Sequence, residues 1–257
     1  MSCDAYADVV PPFVALWRKY WPDCPFETVL LTETIGCDGF DRVLAVGRCE
    51  DWAPRIMRAI DGITTPYVLL VLNDYYLAAP VDTALVLRRL EEAKRLDALN
   101  LRLVPNPPGR KPFAGTDLLE MPKNTAYCVT CQTGIWNRGF LAGLLVAARS
   151  AWEFERHGSF MFEPSEERPL LVTAVKEFPF VDAVHKGYWT AEGVEACRLG
   201  GAAADFTARG FPPLGARVRE AAKKAAFAVF PWTLIVRIQN LCDIISGKTK
   251  KRMEPRK

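Results

Sequence analysis

The chain has 257 residues, of which half are apolar and a quarter are charged, a composition that belongs to a folded protein and excludes wholesale disorder. A net charge of +3 is too small for nucleic acid to be the main partner. Eight cysteines at irregular spacing, with no secretory signal, do not read as a disulfide framework, so a reducing cytoplasm is expected.

Helical spacing begins at Phe13, Leu16, Trp17 and Tyr20, and "FETVLLTE" then reads as a short buried strand. "RVLAV" is a second apolar piece after a turn. "WAPRIMRAIDGI" has the apolar periodicity of a helix, with Asp51 placed to cap it and Pro54 in its first turn, where proline is tolerated. "YVLLVL" is six consecutive apolar residues, the pattern of a central strand covered on both faces. "VDTALVLRRLEEAKRLDA" is an amphipathic helix and "LNLRLVP" a strand. Strand and helix alternate, which predicts an α/β protein with a mostly parallel central sheet flanked by helices.

The Pro- and Gly-rich "PNPPGRKPFAGTDLLEMPKN" reads mostly as loop, and "CVTCQTGIW" as extended. "RGFLAGLLVAARSAWEFERHGS" reads as one helix. "LVTAV" and "FPFVDAV" are short β-like pieces. A C-terminal helical extension over residues 206–257, kinked at Pro231, follows an α/β domain over residues 1–205. The longest apolar run, "AAFAVFPWTLIV" at 225–236, is short of the ~18 residues of a membrane span.

Five places are candidates to carry chemistry. Asp74 ends the "YVLLVL" strand, and in open α/β sheets ligands bind beyond the carboxyl ends of strands. A carboxylate there can hold a divalent cation that neutralises a diphosphate, although an ordinary strand-to-loop transition presents the same residues. Glu153 and Glu155 lie between aromatics in "WEFER". Desolvated, either could act as a general base; solvated, they would pair with Arg156. Arg55 and the His185–Lys186 pair could meet phosphate or simply be solvated. Cys128 and Cys131 form a C-x-x-C without the second pair or nearby histidines a zinc site needs, since the only histidines are His157 and His185.

The C-terminal stretch intersperses Arg217, Arg219, Lys223, Lys224 and Arg237 with "FAVFPWTLIV", the pattern of a helix lying on an anionic membrane surface. A peripheral association with the inner membrane through residues 212–257 is therefore expected.

"YWPDCP" (20–25), "LLTET" (30–34), "WAPRIMRAIDGITTPYVLLVLNDYYLAAPVD" (52–82), "QTGIWNRGFLAGLL" (132–145) and "SAWEFERHGS" (150–159) carry a resemblance. In these stretches, over about residues 1–200, the chain resembles the GT-A-type, nucleotide-diphosphosugar glycosyltransferases of bacterial capsule and lipopolysaccharide gene clusters. The resemblance implies transfer of a sugar from a nucleotide donor to a cell-envelope glycan or lipid-linked acceptor. It also implies that Asp74 is the metal or diphosphate-side carboxylate after the fourth strand, with Mn²⁺ or Mg²⁺ as cofactor. Ser2, Cys3 and Asp4 would lie near the nucleobase, Arg55 and Lys186 beside the phosphates, and Glu153 or Glu155 at the acceptor. The chain departs from the pattern twice: Asn73 stands where an acidic residue is usual, and almost no residues precede Ser2 to form a first strand. These departures also allow a non-catalytic binding or scaffold protein of the same fold. A nucleotidyltransferase fits less well, because "SCDAYADVVPP" has neither glycine nor lysine.

Overall fold

The computed structural model describes residues 1–48, 51–146, 148 and 150–215. The chain divides into two units, Met1–Phe211 and Pro212–Lys257. The main sheet and its covering helices belong to the first. The basic-apolar stretch of the second, including the expected kink at Pro231, lies outside the described residues.

A 3-10 turn at Asp4–Val9 leads into α1 (Val10–Tyr20), whose Val10, Phe13, Val14 and Leu16 are buried at helical spacing. Strands β1 (Val29–Thr32) and β2 (Arg42–Ala45) pair in parallel. Helix α2 (Trp52–Ile60) follows, with Asp51 at the N-cap position but making no side-chain cap bond. Strand β3 (Tyr67–Leu70) is succeeded almost at once by β4 (Tyr75–Leu77). Helix α3 (Thr83–Arg95) is capped by Asp82, whose carboxylate accepts from the Leu85 N–H at 2.9 Å. Next come β5 (Asn100–Arg102), the edge hairpin β6 (Lys111–Pro112) and β7 (Leu118–Glu120), and β8 (Gly134–Asn137). Helices α4 (Arg138–Val146) and α5 (Ala151–Gly158) are followed by β9 (Leu170–Thr173), β10 (Phe180–Asp182), β11 (Val184–His185), β12 (Tyr188–Trp189) and α6 (Ala191–Gly200).

The main sheet has six strands in the order β3-β8-β5-β9-β7-β6. It is mixed, which corrects the expectation of a mostly parallel sheet: only β5 and β9 pair in parallel within it. The reason is connectivity. The segment expected to be loop folds back as the β6–β7 hairpin on one edge, and β8 inserts antiparallel between β3 and β5. Both faces are nonetheless covered. Trp136, Leu170 and Val172 point to the α2, α4 and α5 side, while Ile135, Leu101 and Leu171 point to the side holding Val86 and Ala93 of α3.

One further expectation is corrected, and one helix is added. The long helix over 138–159 is two helices, because Ser150 accepts from the Glu153 N–H at 3.2 Å and caps a new start. Helix α6, not expected from the apolar pattern, forms because Thr190 caps it at the Gly193 N–H (2.9 Å).

The candidate active site at the carboxyl end of β3

Beyond Leu70 the chain passes Asn73 and Asp74 and turns into β4, which leaves the main sheet to pair antiparallel with β10, Tyr75 opposite Asp182. The Ala183 N–H donates to the Asp74 carbonyl at 2.7 Å. This ribbon fixes the Asp74 main chain at the end of β3. Its side chain is half-buried, and its Oδ1 is sealed from solvent with no hydrogen-bond partner. Burial pushes the Asp74 carboxyl up to about 6, and the nearby Asp182 carboxylate adds to the rise. The Met1 ammonium and Arg209 oppose it.

Around Asp74 stand groups from distant parts of the chain. The Met1 amine donates to the Val71 carbonyl at 3.0 Å and is pulled down to about 6 by burial, with Asp74 opposing the fall. The Tyr6 phenol is raised by burial and then by Asp74. Arg209 makes two bonds to Asp8 (2.7 and 2.6 Å), another to the Ala5 carbonyl (2.6 Å), and lies 4.2 Å from the Tyr6 ring centre.

The residues expected on the donor side form a network next to this cluster. Ser2 is buried and its carbonyl accepts from Arg55 at 3.3 Å. Arg55 also pairs with Glu33 at 2.7 Å, and Glu33 in turn accepts from the Asp4 N–H at 2.9 Å. The Asp4 carboxylate accepts from the Thr34 hydroxyl (2.6 Å) and from the N–H groups of Thr34 and Ile35 (3.0 and 3.3 Å), and the Thr34 hydroxyl is the main cause of its lowered pKa. Cys3 is half-buried beside Tyr6. Arg209, rather than a residue expected from the sequence, is the arginine that acts on Asp74 among its main causes of shift. Lys186 occupies the exposed turn of the β11–β12 hairpin at φ 52°.

Of the two glutamates, Glu155 turns inward. Its carboxylate accepts from the Cys131 N–H at 2.8 Å and is raised by burial. Both Glu155 and Asp74 raise the Cys131 thiol and the Tyr75 phenol, after burial itself, so the fold brings the two acids to one neighbourhood. Glu153 sits in the first turn of α5, where its N–H completes the Ser150 cap. Cys128 and Cys131 are buried free thiols.

No family model, curated protein or solved structure matches this chain. The site must be read from its own chemistry. The Asp74 Oδ1 has no hydrogen-bond partner, and the Asp182 carboxylate adds to the rise in its proton affinity. Among the described residues no group of three or more His, Cys, Asp and Glu gathers. Two carboxylates still fit a hard cation that keeps waters and takes its remaining ligands from substrate phosphates.

A cavity of about 540 Å³ lies beside this cluster, reaching Met1 and Asn73. Its walls are largely apolar, and a diphosphate would find few partners inside.

Asp182, Arg209 and Tyr6 were missed by sequence reasoning. "FPFVDAV" carried the one available signal, a carboxylate ending a strand as Asp74 does.

Proposed function

We propose that this chain is a glycosyltransferase that moves a sugar from a nucleotide-diphosphosugar to a cell-envelope glycan or lipid-linked acceptor. The observation that carries the reading is the sealed, partnerless oxygen of Asp74 at a strand's carboxyl end, set against a second carboxylate, Asp182. Mn²⁺ or Mg²⁺ held by these two acids would neutralise the donor diphosphate. Asp74 and Asp182 fix the position of the donor, and Arg209, whose charge is felt at Asp74, adds positive charge to the site. Glu155 is the base: burial raises its proton affinity, and the Cys131 N–H holds one carboxylate oxygen in place, leaving the other to take the acceptor hydroxyl proton. The motifs from "YWPDCP" to "SAWEFERHGS" support the donor class.

Thermal-shift measurements with UDP-, GDP- and CDP-sugars, with and without Mn²⁺, test the reading. A donor at a hundred times its Kd stabilises the fold by about 2.7 kcal/mol, an easily seen rise in melting temperature. Asp74→Asn should lose the Mn²⁺-dependent part of that rise. Glu155→Gln should keep donor binding and lose sugar transfer. If no nucleotide moves the melting temperature, the transferase reading fails. The scaffold reading then gains, and it has its own support: Arg55 and Asp4, expected to meet the donor, are already engaged by Glu33 and Thr34.

A further inference from the structure

Strands β1 and β3 point at one another across a gap. Strand β1 pairs only with β2, and β3 only with β8, so among the described residues each has an edge without a ladder partner. The cavity of about 540 Å³ fills the space between those edges, lined by Val29–Leu31 on one side and Tyr67–Val71 on the other. Ile56 and Ile60 of α2 roof it on one face, Trp17 of α1 and Leu90 of α3 on the opposite face. The gap is therefore apolar above and below and lined with peptide groups at its sides. Peptide groups so placed demand hydrogen-bond partners. The side chains agree: Tyr67, Val68 and Leu69 are only half-buried, in a strand whose composition is that of a sheet centre.

Met1 and Ser2 already begin a ladder at one end of the gap. The Met1 N–H₃⁺ donates to the Val71 carbonyl and the Met1 carbonyl accepts from the Asn73 N–H, at 3.0 and 3.2 Å, which is the parallel pattern against the β3 side. The next residue turns to the opposite neighbour, the Ser2 N–H donating to the Leu31 carbonyl at 2.8 Å. This alternation belongs to a strand lying between two parallel partners. Carried backwards, it would next reach Val29 on β1 and Leu69 on β3, directly along the cavity.

We infer that the cavity is the seat of a β-strand continuous with Met1 on its N-terminal side, apolar throughout, matched to the four-residue edges of β1 and β3 and parallel to both. It joins the β1–β2 pair to the six-stranded sheet as one surface. Continuity with Met1 decides the occupant. A strand from another molecule would have to stop with its own carboxyl terminus against the Met1 amine. A peptide bond at Met1 instead replaces an ammonium held against the Val71 carbonyl by an amide N–H that makes the same bond without a charge to desolvate. The strand is covered on both faces, so it reads as an unbroken Val-, Ile- and Leu-rich run rather than an alternating one.

The test compares the polypeptide isolated from cells that encode it with the 257-residue chain. Its intact mass and N-terminal peptide should show additional residues with an apolar run directly ahead of Met1. Hydrogen exchange at Val29–Thr32 and Tyr67–Leu70 should be slowed about ten-fold or more in the longer polypeptide, with a higher melting temperature. A Gly/Ser run of equal length in place of the apolar one should abolish both effects. A native chain that begins at Met1, or an extension that leaves exchange unchanged, overturns the inference. So does protection in the 257-residue chain that grows with concentration, which would make a second copy the occupant. Exchange at the two edges that speeds up on deleting residues 225–236 would assign the gap to that apolar run and equally overturn it. Because the readout is backbone protection, it stands or falls separately from nucleotide binding.

Discussion

At Asp74 and Met1, two groups of opposite charge type share one partly dry corner, and their shifts give stability a definite dependence on pH. The Asp74 carboxyl rises from its ordinary 3.8 to about 6 in the folded chain. Between those values the folded state holds a proton the unfolded state has lost, so stability falls as pH rises from about 4 to about 6. The Met1 amine drops from 8.0 to about 6. From about 6 to about 8 the unfolded state holds the extra proton, and stability climbs again. Denaturation of the 257-residue chain should therefore show a trough near pH 6. Asp74→Asn should flatten the acid limb, by roughly 2 kcal/mol once solvent screening is allowed for, and acetylation of the amine should flatten the other. In a polypeptide extended ahead of Met1 the nitrogen is an amide, so the upper limb should vanish and the Asp74 carboxyl should move above 6. Asp74 was legible in the sequence because an apolar run stops there. Asp182 and Arg209 were not, because a carboxylate in a short β-like piece and an arginine in a loop carry no local mark of what they will face.

Elements are held in place by contacts that their own sequences do not announce. Arg89, on α3, is almost wholly buried and bonds Glu177, Asp117 and Glu92 at 2.5–2.9 Å, tying the helix to the start of β7 and to the chain after β9. From periodicity alone it is one more polar residue of an amphipathic helix. Arg89→Met leaves Glu177 buried without its cation and should cost about 3–5 kcal/mol in chemical denaturation, whereas the same substitution at the solvent-exposed Arg198 should leave the midpoint almost unmoved. Helix α6 shows the same dependence through a glycine. A Cβ on Gly193 would come within 2.5 Å of the Ala183 Cα and 2.7 Å of its carbonyl oxygen, backbone atoms that cannot step aside. Gly193→Ala should cost about 2 kcal/mol or more. Because the Ala183 N–H holds the Asp74 carbonyl, the same substitution should disturb the amide resonances of Asp74 and Tyr75. The two-helix break at Ser150 was available in the sequence as S-x-x-E. It was hidden by the apolar periodicity running through it.

At the scale of the whole molecule, no helix among the described residues is long and apolar enough to cross a membrane. The proposed membrane contact is assigned to residues 212–257, the second unit, and rests on the mixture of basic and apolar residues there. Removing residues 212–257 should abolish sedimentation with anionic vesicles while leaving the far-UV signal of the first unit in proportion. Binding that survives the deletion would place the contact on the first unit.

The sequence by itself determined the α/β class, the helices α1, α2 and α3, and most strands of the main sheet. Apolar spacing and caps such as Asp82 act within a few residues, and local chemistry can be read locally. Tertiary structure alone decided that the sheet is mixed, that Asp74 meets Asp182, Tyr6 and Arg209, and that two strand edges face each other across an apolar gap ending at Met1. Those outcomes depend on backbone hydrogen bonds and charge pairs between segments as much as 201 residues apart, and they exist only once the chain has closed on itself.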